Sequence, residues 1–321
     1  MSESTKAHLE KQFESEIESH LLTHGWTQGT PSHYDRGLGM DTAELFAFIG
    51  ATQIEAWDRL VALHGSAPTA QQKFAKRLAA ELTARGTIDV LRRGVKDLGV
   101  QIDVAYFAPA HDLTPDLRAL YDANRVTVTR QAPVSESNPA DTVDLLLSVN
   151  GVPVATAELK TQTTGQNVNN AMAQYRTDRN PNDLVFKART VVQFAVDQDN
   201  VYMTTRLAGT QTVFLPFNQG TGGPGREGGK GNPINPHGHR TAYLWERVWQ
   251  RDAWLDLLGT FVHVEAVRDK TGKKTGKSVT VFPRFHQWDA VIALTAAARD
   301  QGPGHNKLVQ HSAGSGKSTA T

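Results

Sequence analysis

The chain contains no cysteine among its 321 residues. That excludes disulfides, thiolate metal sites and cysteine nucleophiles, and it suits the cytoplasm. Charge of one sign is also missing. The formal net charge is +1, so any nucleic-acid surface must be local rather than global. No apolar run approaches the roughly 18 residues that a membrane span needs. The first twenty residues, MSESTKAHLEKQFESEIESH, are charged and have no apolar centre, unlike a secretory leader. What remains is ordinary for a globular protein, 39% hydrophobic and 21% charged, and the length suits two domains.

The most informative stretch is DTVDLLLSVNGVPVATAELK. Two apolar strands flank Asn150-Gly151, a two-residue turn signal that predicts a hairpin over 143–160. Asp144 lies in the first strand. Glu158 and Lys160 end the second, two apart and so on one face. Two carboxylates and a lysine then converge at one end of the hairpin. Such a set suits Mg²⁺, which prefers oxygen ligands and keeps several waters, and it suits activation of a water against a phosphodiester. Carboxylates inside apolar strands are costly unless paired or metal-bound, which favours a site over a solvated surface.

Strands and helices interleave along the chain and predict a mixed α/β sheet flanked by helices. Phe13, Ile17, Leu21 and Leu22 recur at helical spacing before Gly25. Residues 41–64 read as one helix, with Leu45, Ile49, Ile54 and Leu60 on its apolar stripe, and residues 70–85 as another. The latter carries Lys73, Lys76, Arg77 and Arg85, a solvated or DNA-facing surface. Strands are expected over 100–107, 125–131, 191–197, 201–207, 261–267 and 278–283, and helices over 166–179 and 286–300. Residues 218–238 are glycine-rich and read as a mobile loop; His237 and His239 within it lack an evident third metal ligand. Trp245, Trp249 and Trp254 read as packing residues. Residues 270–277 read as a basic hairpin loop; the GKS at 276–278 precedes a strand, where a phosphate loop needs a helix.

A second motif closes the chain. Gly314, Ser315, Gly316, Lys317 and Ser318 follow a KLVQ strand reading and fit the helicase-type variant of a phosphate loop, with His311 where the stricter pattern has glycine. Backbone N–H groups of such a loop cradle phosphates, the lysine reaches the β/γ-phosphates and the serine holds Mg²⁺.

The two motifs in this order, with FESEIESHLLTHGW, AMAQYRTDR, VYMTTRLAG, FLPFNQG, FPRFHQWDAV and GHNKLVQHSAGSGKS, resemble the restriction (R) subunit of type I restriction-modification enzymes across essentially the whole chain. The resemblance implies a PD-(D/E)xK-type nuclease domain over 1–260 and the start of a RecA-like helicase motor domain over 261–321. It implies Mg²⁺-dependent, sequence-nonspecific cleavage of double-stranded DNA after ATP-driven translocation, in a complex with modification (M) and specificity (S) subunits. By position, Asp144 and Glu158 would hold the metal and Lys160 would be the catalytic lysine. Glu14 matches a glutamate of the first helix, and Tyr175 the tyrosine of QxxxY. Ala171 stands where that motif has glutamine, with Gln174 beside the tyrosine instead. Gln287 resembles the adenine-reading glutamine upstream of the phosphate loop. Since the chain stops just after that loop, it is expected to be an N-terminal fragment. Two other readings exist: a docking and DNA-gripping module with a decayed nuclease site, and a stand-alone P-loop nucleotidase. The intact Asp…Glu-x-Lys set argues against the first, and the missing downstream motor motifs against the second.

Overall fold

The computed structural model describes residues 3–109, 114–162, 165–269, 271–302 and 304–309. Helix α1 (Glu3–Thr23) buries Phe13, Ile17 and Leu21, and Gly25 follows with φ of 87°. After β1 (Thr27–Gln28) and the short pair β2 (Tyr34–Asp35) and β3 (Met40–Asp41), the Asp41 carboxylate caps α2 (Thr42–Thr52) by accepting from the N–H groups of Ala43 and Glu44.

The helix expected over 41–64 is broken at Gln53, and α3 (Ile54–His64) starts afresh beyond it. The Gln53 amide donates to Asp103 O (2.9 Å), and its oxygen accepts from Asp103 N (2.7 Å). A tertiary partner thus claims the residue that would have continued the helix. The break resets the helical phase, so Ile54, expected on the apolar stripe, is 56% exposed. Helix α4 (Ala67–Arg85) runs from a Ser66 cap to Gly86, and a separate α5 (Thr87–Arg93) follows. Along α4, Arg77 and Arg85 both pair with Glu81.

Only Val100–Ile102 of the strand expected over 100–107 forms one, β5, paired with β4 (Val95–Asp97). Val104 and Ala105 are buried, but side chains rather than a neighbouring strand meet the backbone there. Asn150 donates to Val104 O, and Asn124 bonds both backbone groups of Tyr106.

Helix α6 (Pro115–Asp122) leads into the main sheet. Its strands are β6 (Val126–Pro133), β7 (Thr142–Val149), β8 (Val152–Leu159) and, after α7 (Val168–Thr177), β9 (Val192–Val196), β10 (Val201–Thr204) and β11 (Leu215–Pro216). The order is β1-β6-β7-β8-β9-β10-β11, parallel at β1/β6 and β8/β9 and antiparallel elsewhere. The expected mixed sheet flanked by helices is therefore present. Every residue of β8 is buried, as a central strand covered on both faces requires. Pro153 is tolerated there because the β7/β8 register shifts between Leu147 and Ser148.

The predicted hairpin turn has φ of 50° at Asn150 and 80° at Gly151. This is the positive pair that a right-twisted two-residue turn needs. The turn is buried, not exposed. Asn150 accepts from Arg125 N and donates to Val104 O and Asn124 Oδ1, while a Cβ at Gly151 would meet Asp41 O at 2.0 Å. One apolar cluster joins α1–α5 to one side of the sheet; the other places α7 and the π-helical turn Val185–Arg189 on the opposite side.

The glycine-rich stretch expected to be mobile is tied into the fold. Asn232 is buried, bonding Gln219 N, Asp199 O and Asn218 Oδ1, and Gly220 N donates to Gly231 O. Two π-helical turns (Leu244–Val248 and Leu257–Phe261) flank α8 (Arg251–Asp256). Trp245, Trp249 and Trp254 are buried here, the packing role read from the sequence. Strands β12 (His263–Arg268) and β13 (Lys274–Val281) form a separate hairpin, so part of the expected basic loop is strand. Helix α9 (Phe285–Gln301) follows. Phe282 and Phe285 pack on Phe194 and Phe217, joining this last segment to the main core. The strand expected at KLVQ is not formed over residues 304–309. Leu308 is 90% exposed, and no described strand lies beside it to complete its backbone bonds. No described helix is long and apolar enough to cross a membrane.

Candidate active site

The expected residues meet at one end of the β7/β8 hairpin. Leu145 pairs with Ala157, and the same antiparallel register sets Asp144 across from Glu158. Asp144 Oδ2 accepts from Leu159 N at 2.7 Å, which fixes this carboxylate against the end of β8. Helix α1 lies across β6 and β8 and brings Glu14 to the same place. The Gln131 amide donates to both Glu14 Oε1 (2.9 Å) and Asp144 Oδ1 (3.1 Å). Arg130 Nε donates to Glu14 Oε2 at 3.2 Å, and its Nη1 to Glu18. Lys160, one residue past β8, has its Nζ 3.8 Å from Glu10 Oε2. Glu10, Glu14 and Glu18 follow one another at four-residue spacing, so one face of α1 carries all three carboxylates to the site.

Glu158 is fully buried. Its Oε1 accepts from Arg179 Nε at 2.7 Å, and Arg179 also donates to Asp141 and to Thr142 O. Among the described residues, Oε2 of Glu158 has no hydrogen-bond partner. Burial, and then the charge of Asp144, pushes the Glu158 carboxyl up to about 8 against the pull of Arg179 and Lys160. Burial and Asp144 likewise raise Glu14 to about 7, opposed by Arg130 and Gln131. Three carboxylates thus crowd one another where a positive charge would relieve them.

These are the conditions a divalent cation fits. Asp144 and Glu158 face each other across the strand pair, and one buried carboxylate oxygen lacks a partner among the described residues. Among the described residues no set of three or more His, Cys, Asp or Glu side chains is arranged to hold a metal. An acidic pair of this kind fits an ion that takes one or two carboxylates and keeps its waters, as Mg²⁺ does.

Tyr175 lies beneath this site. Thr156 shares a strand face with Glu158, and its Oγ1 is 2.8 Å from the Tyr175 hydroxyl. The Tyr175 ring is fully buried against Phe186 and Phe214. It supports the strand from below, its hydroxyl bonded to Thr156 and not to the carboxylates. Tyr175→Phe should cost about 1 kcal/mol of stability for the lost hydrogen bond and leave most of any cleavage activity. Urea unfolding beside a plasmid-cleavage assay checks this. Ala171, where a glutamine was sought, is buried in the α7 packing. Gln174 lends its backbone carbonyl to the N–H groups of Asp178 and Arg179.

Gln287 sits in the first turn of α9, where its Oε1 accepts from Arg284 N at 2.8 Å. Gly314, Gly316, Lys317 and Ser318 lie outside the described residues. The sequence reading missed Gln131, Arg130 and Arg179. Arg179 had a faint signal, since it stands four residues after Tyr175 in the AMAQYRTDR stretch. Gln131 had none, because a polar residue near a strand end is ordinary.

Residues 9–212 match the family model described as Type I restriction enzyme R protein N terminus (HSDR_N). No curated protein matches the chain. The match covers well over half of the sequence and includes every member of the carboxylate cluster, so the chain belongs to the family of type I restriction enzyme R protein N termini.

Proposed function

We propose that this chain carries the nuclease site of a type I restriction R subunit and hydrolyses phosphodiesters of double-stranded DNA without reading sequence. The observation that carries the proposal is the convergence of Glu14, Asp144, Glu158 and Lys160 at the end of β8, with one buried oxygen of Glu158 unpartnered among the described residues. Asp144 and Glu158 would hold Mg²⁺. Once bound, the ion would lower the pKa of a water and offset charge on the phosphate. The chain's own residues prepare that chemistry. Arg179 fixes one oxygen of Glu158, and the other has no hydrogen-bond partner among the described residues. Leu159 N and Gln131 hold Asp144 from two sides. Lys160 supplies a positive charge where negative charge develops at phosphorus.

In the whole subunit, residues 314–318 would open an ATP-driven motor of RecA type, with Gln287 near the adenine. The modification and specificity subunits would select the DNA, in the cytoplasm. The test is the full-length subunit, assembled with those partners, on unmethylated circular plasmid with Mg²⁺ and ATP. Cleavage that a chelator abolishes, and that methylation of the plasmid prevents, is the expected result. ATP hydrolysis without cleavage would overturn the nuclease reading and leave a docking and DNA-gripping module.

A further inference from the structure

Gln131 has a backbone conformation that its position in the sheet does not require. Three non-glycine residues among those described have positive φ: Leu98, Asn150 and Gln131. Leu98 and Asn150 sit with a following glycine in two-residue hairpin turns, where positive φ is demanded. Gln131 lies inside β6, with φ of 49°. No residue is inserted there, because Arg130↔Leu145 and Ala132↔Val143 keep one register. The side chain is exposed, so burial of Gln131 does not offset the strain.

The conformation has one visible consequence. Adjacent strand residues normally point to opposite faces. Here Arg130 and Gln131, side by side, both bond the Glu14 carboxylate, Arg130 at Oε2 and Gln131 at Oε1. The same Gln131 nitrogen also reaches Asp144 Oδ1, and Thr142 Oγ1 donates to the Gln131 oxygen, which sets the amide's orientation. A neutral donor therefore stands between two negative groups that repel each other.

We propose that Gln131 is a positioning residue that sets the spacing of Glu14 and Asp144, and through it the affinity of the Asp144/Glu158 pair for a divalent cation. The inference rests on the reading of that pair as a cation site. Asp144 held at both oxygens, by Gln131 and by Leu159 N, keeps its remaining lone pairs in one orientation. Partners of this kind are worth about 10-fold or more in metal affinity.

The experiment is Mn²⁺ titration of the 321-residue chain by calorimetry, with melting temperatures taken in chelator, for Gln131→Gly, Gln131→Met and Asp144→Ala. Glycine adopts positive φ freely and methionine does not. The melting temperature of Gln131→Gly should therefore equal or exceed that of Gln131→Met. Both variants should weaken Mn²⁺ binding by about 10-fold, a change that a purely structural role would not produce in the glycine variant. Wild-type affinity in both would overturn the proposal while leaving the cation site in place. Mn²⁺ binding unchanged in Asp144→Ala would overturn the cation site itself, and the proposal with it.

Discussion

Replacing Lys160 with alanine should abolish DNA cleavage by the assembled complex and leave its ATP hydrolysis intact. Removing one preorganised charge from the place where an oxyanion develops costs about 10²–10³ in rate. The Lys160 side chain is 12% exposed, lies just beyond the end of β8, and approaches Glu10 only at 3.8 Å. Losing that long ion pair and the packed stem of a mostly covered lysine should cost about 0.5–3 kcal/mol. The Lys160 backbone N–H, which donates to Val196 O at 2.9 Å, is kept in the variant. Plasmid linearisation and ATP turnover followed in the same tubes separate the outcomes. A variant that still cuts at the wild-type rate would place the chemistry elsewhere.

Glu158→Gln should remove cation binding and cleavage, and it should change how stability depends on pH. The folded carboxyls of Glu158 and Glu14 titrate near 8 and 7, both above the ordinary value of 4.5. Between the ordinary and the raised values the folded chain binds more protons than the unfolded one. Their stabilising contribution is thus complete below about 4.5 and is lost as pH rises through 7 and 8. In chelator the wild type should melt at progressively lower temperature from pH 5 to pH 9. Mn²⁺ should reverse the loss, since an ion there replaces the proton as the compensating charge. Glutamine cannot ionise, so Glu158→Gln should keep only the part of the slope that belongs to Glu14. Its amide oxygen can still accept from Arg179. Melting curves at each pH, with and without Mn²⁺, check this, and equal slopes in the two proteins would contradict the assignment of the upper titration to Glu158.

The features legible in the sequence are those that local chemistry decides. Asn150-Gly151 specifies positive φ at two successive positions, so the hairpin follows; the register shift between Leu147 and Ser148 then brings Asp144 across from Glu158 instead of Ala157. The helix expected over 70–85 stops at Gly86 as read, because a residue free of Cβ acts within one turn of the helix, while its start lies three residues earlier at Ala67. The tryptophan spacing likewise announced burial. The misreadings arose where a distant partner overrode a local preference. Gln53 leaves the helix for Asp103, fifty residues away, and Val104 finds side chains where a strand was expected. Low complexity over 218–238 suggested mobility, but Asn232 anchors the loop through bonds that no pattern of glycines announces.

The same division runs through the site. The sequence by itself determined the chemical groups at the hairpin end, since a two-residue turn between two strands carries Asp144, Glu158 and Lys160 there, but it did not announce the register shift between Leu147 and Ser148 that puts Asp144 and Glu158 on one face. Only the tertiary structure decided their environment: that Glu14 arrives on α1, that Arg179 takes one oxygen of Glu158, and that a strained Gln131 stands between two carboxylates. Turn and strand preferences act over a few bonds and are written locally. Desolvation and charge–charge repulsion depend on which distant segments pack together, and packing is a property of the whole fold.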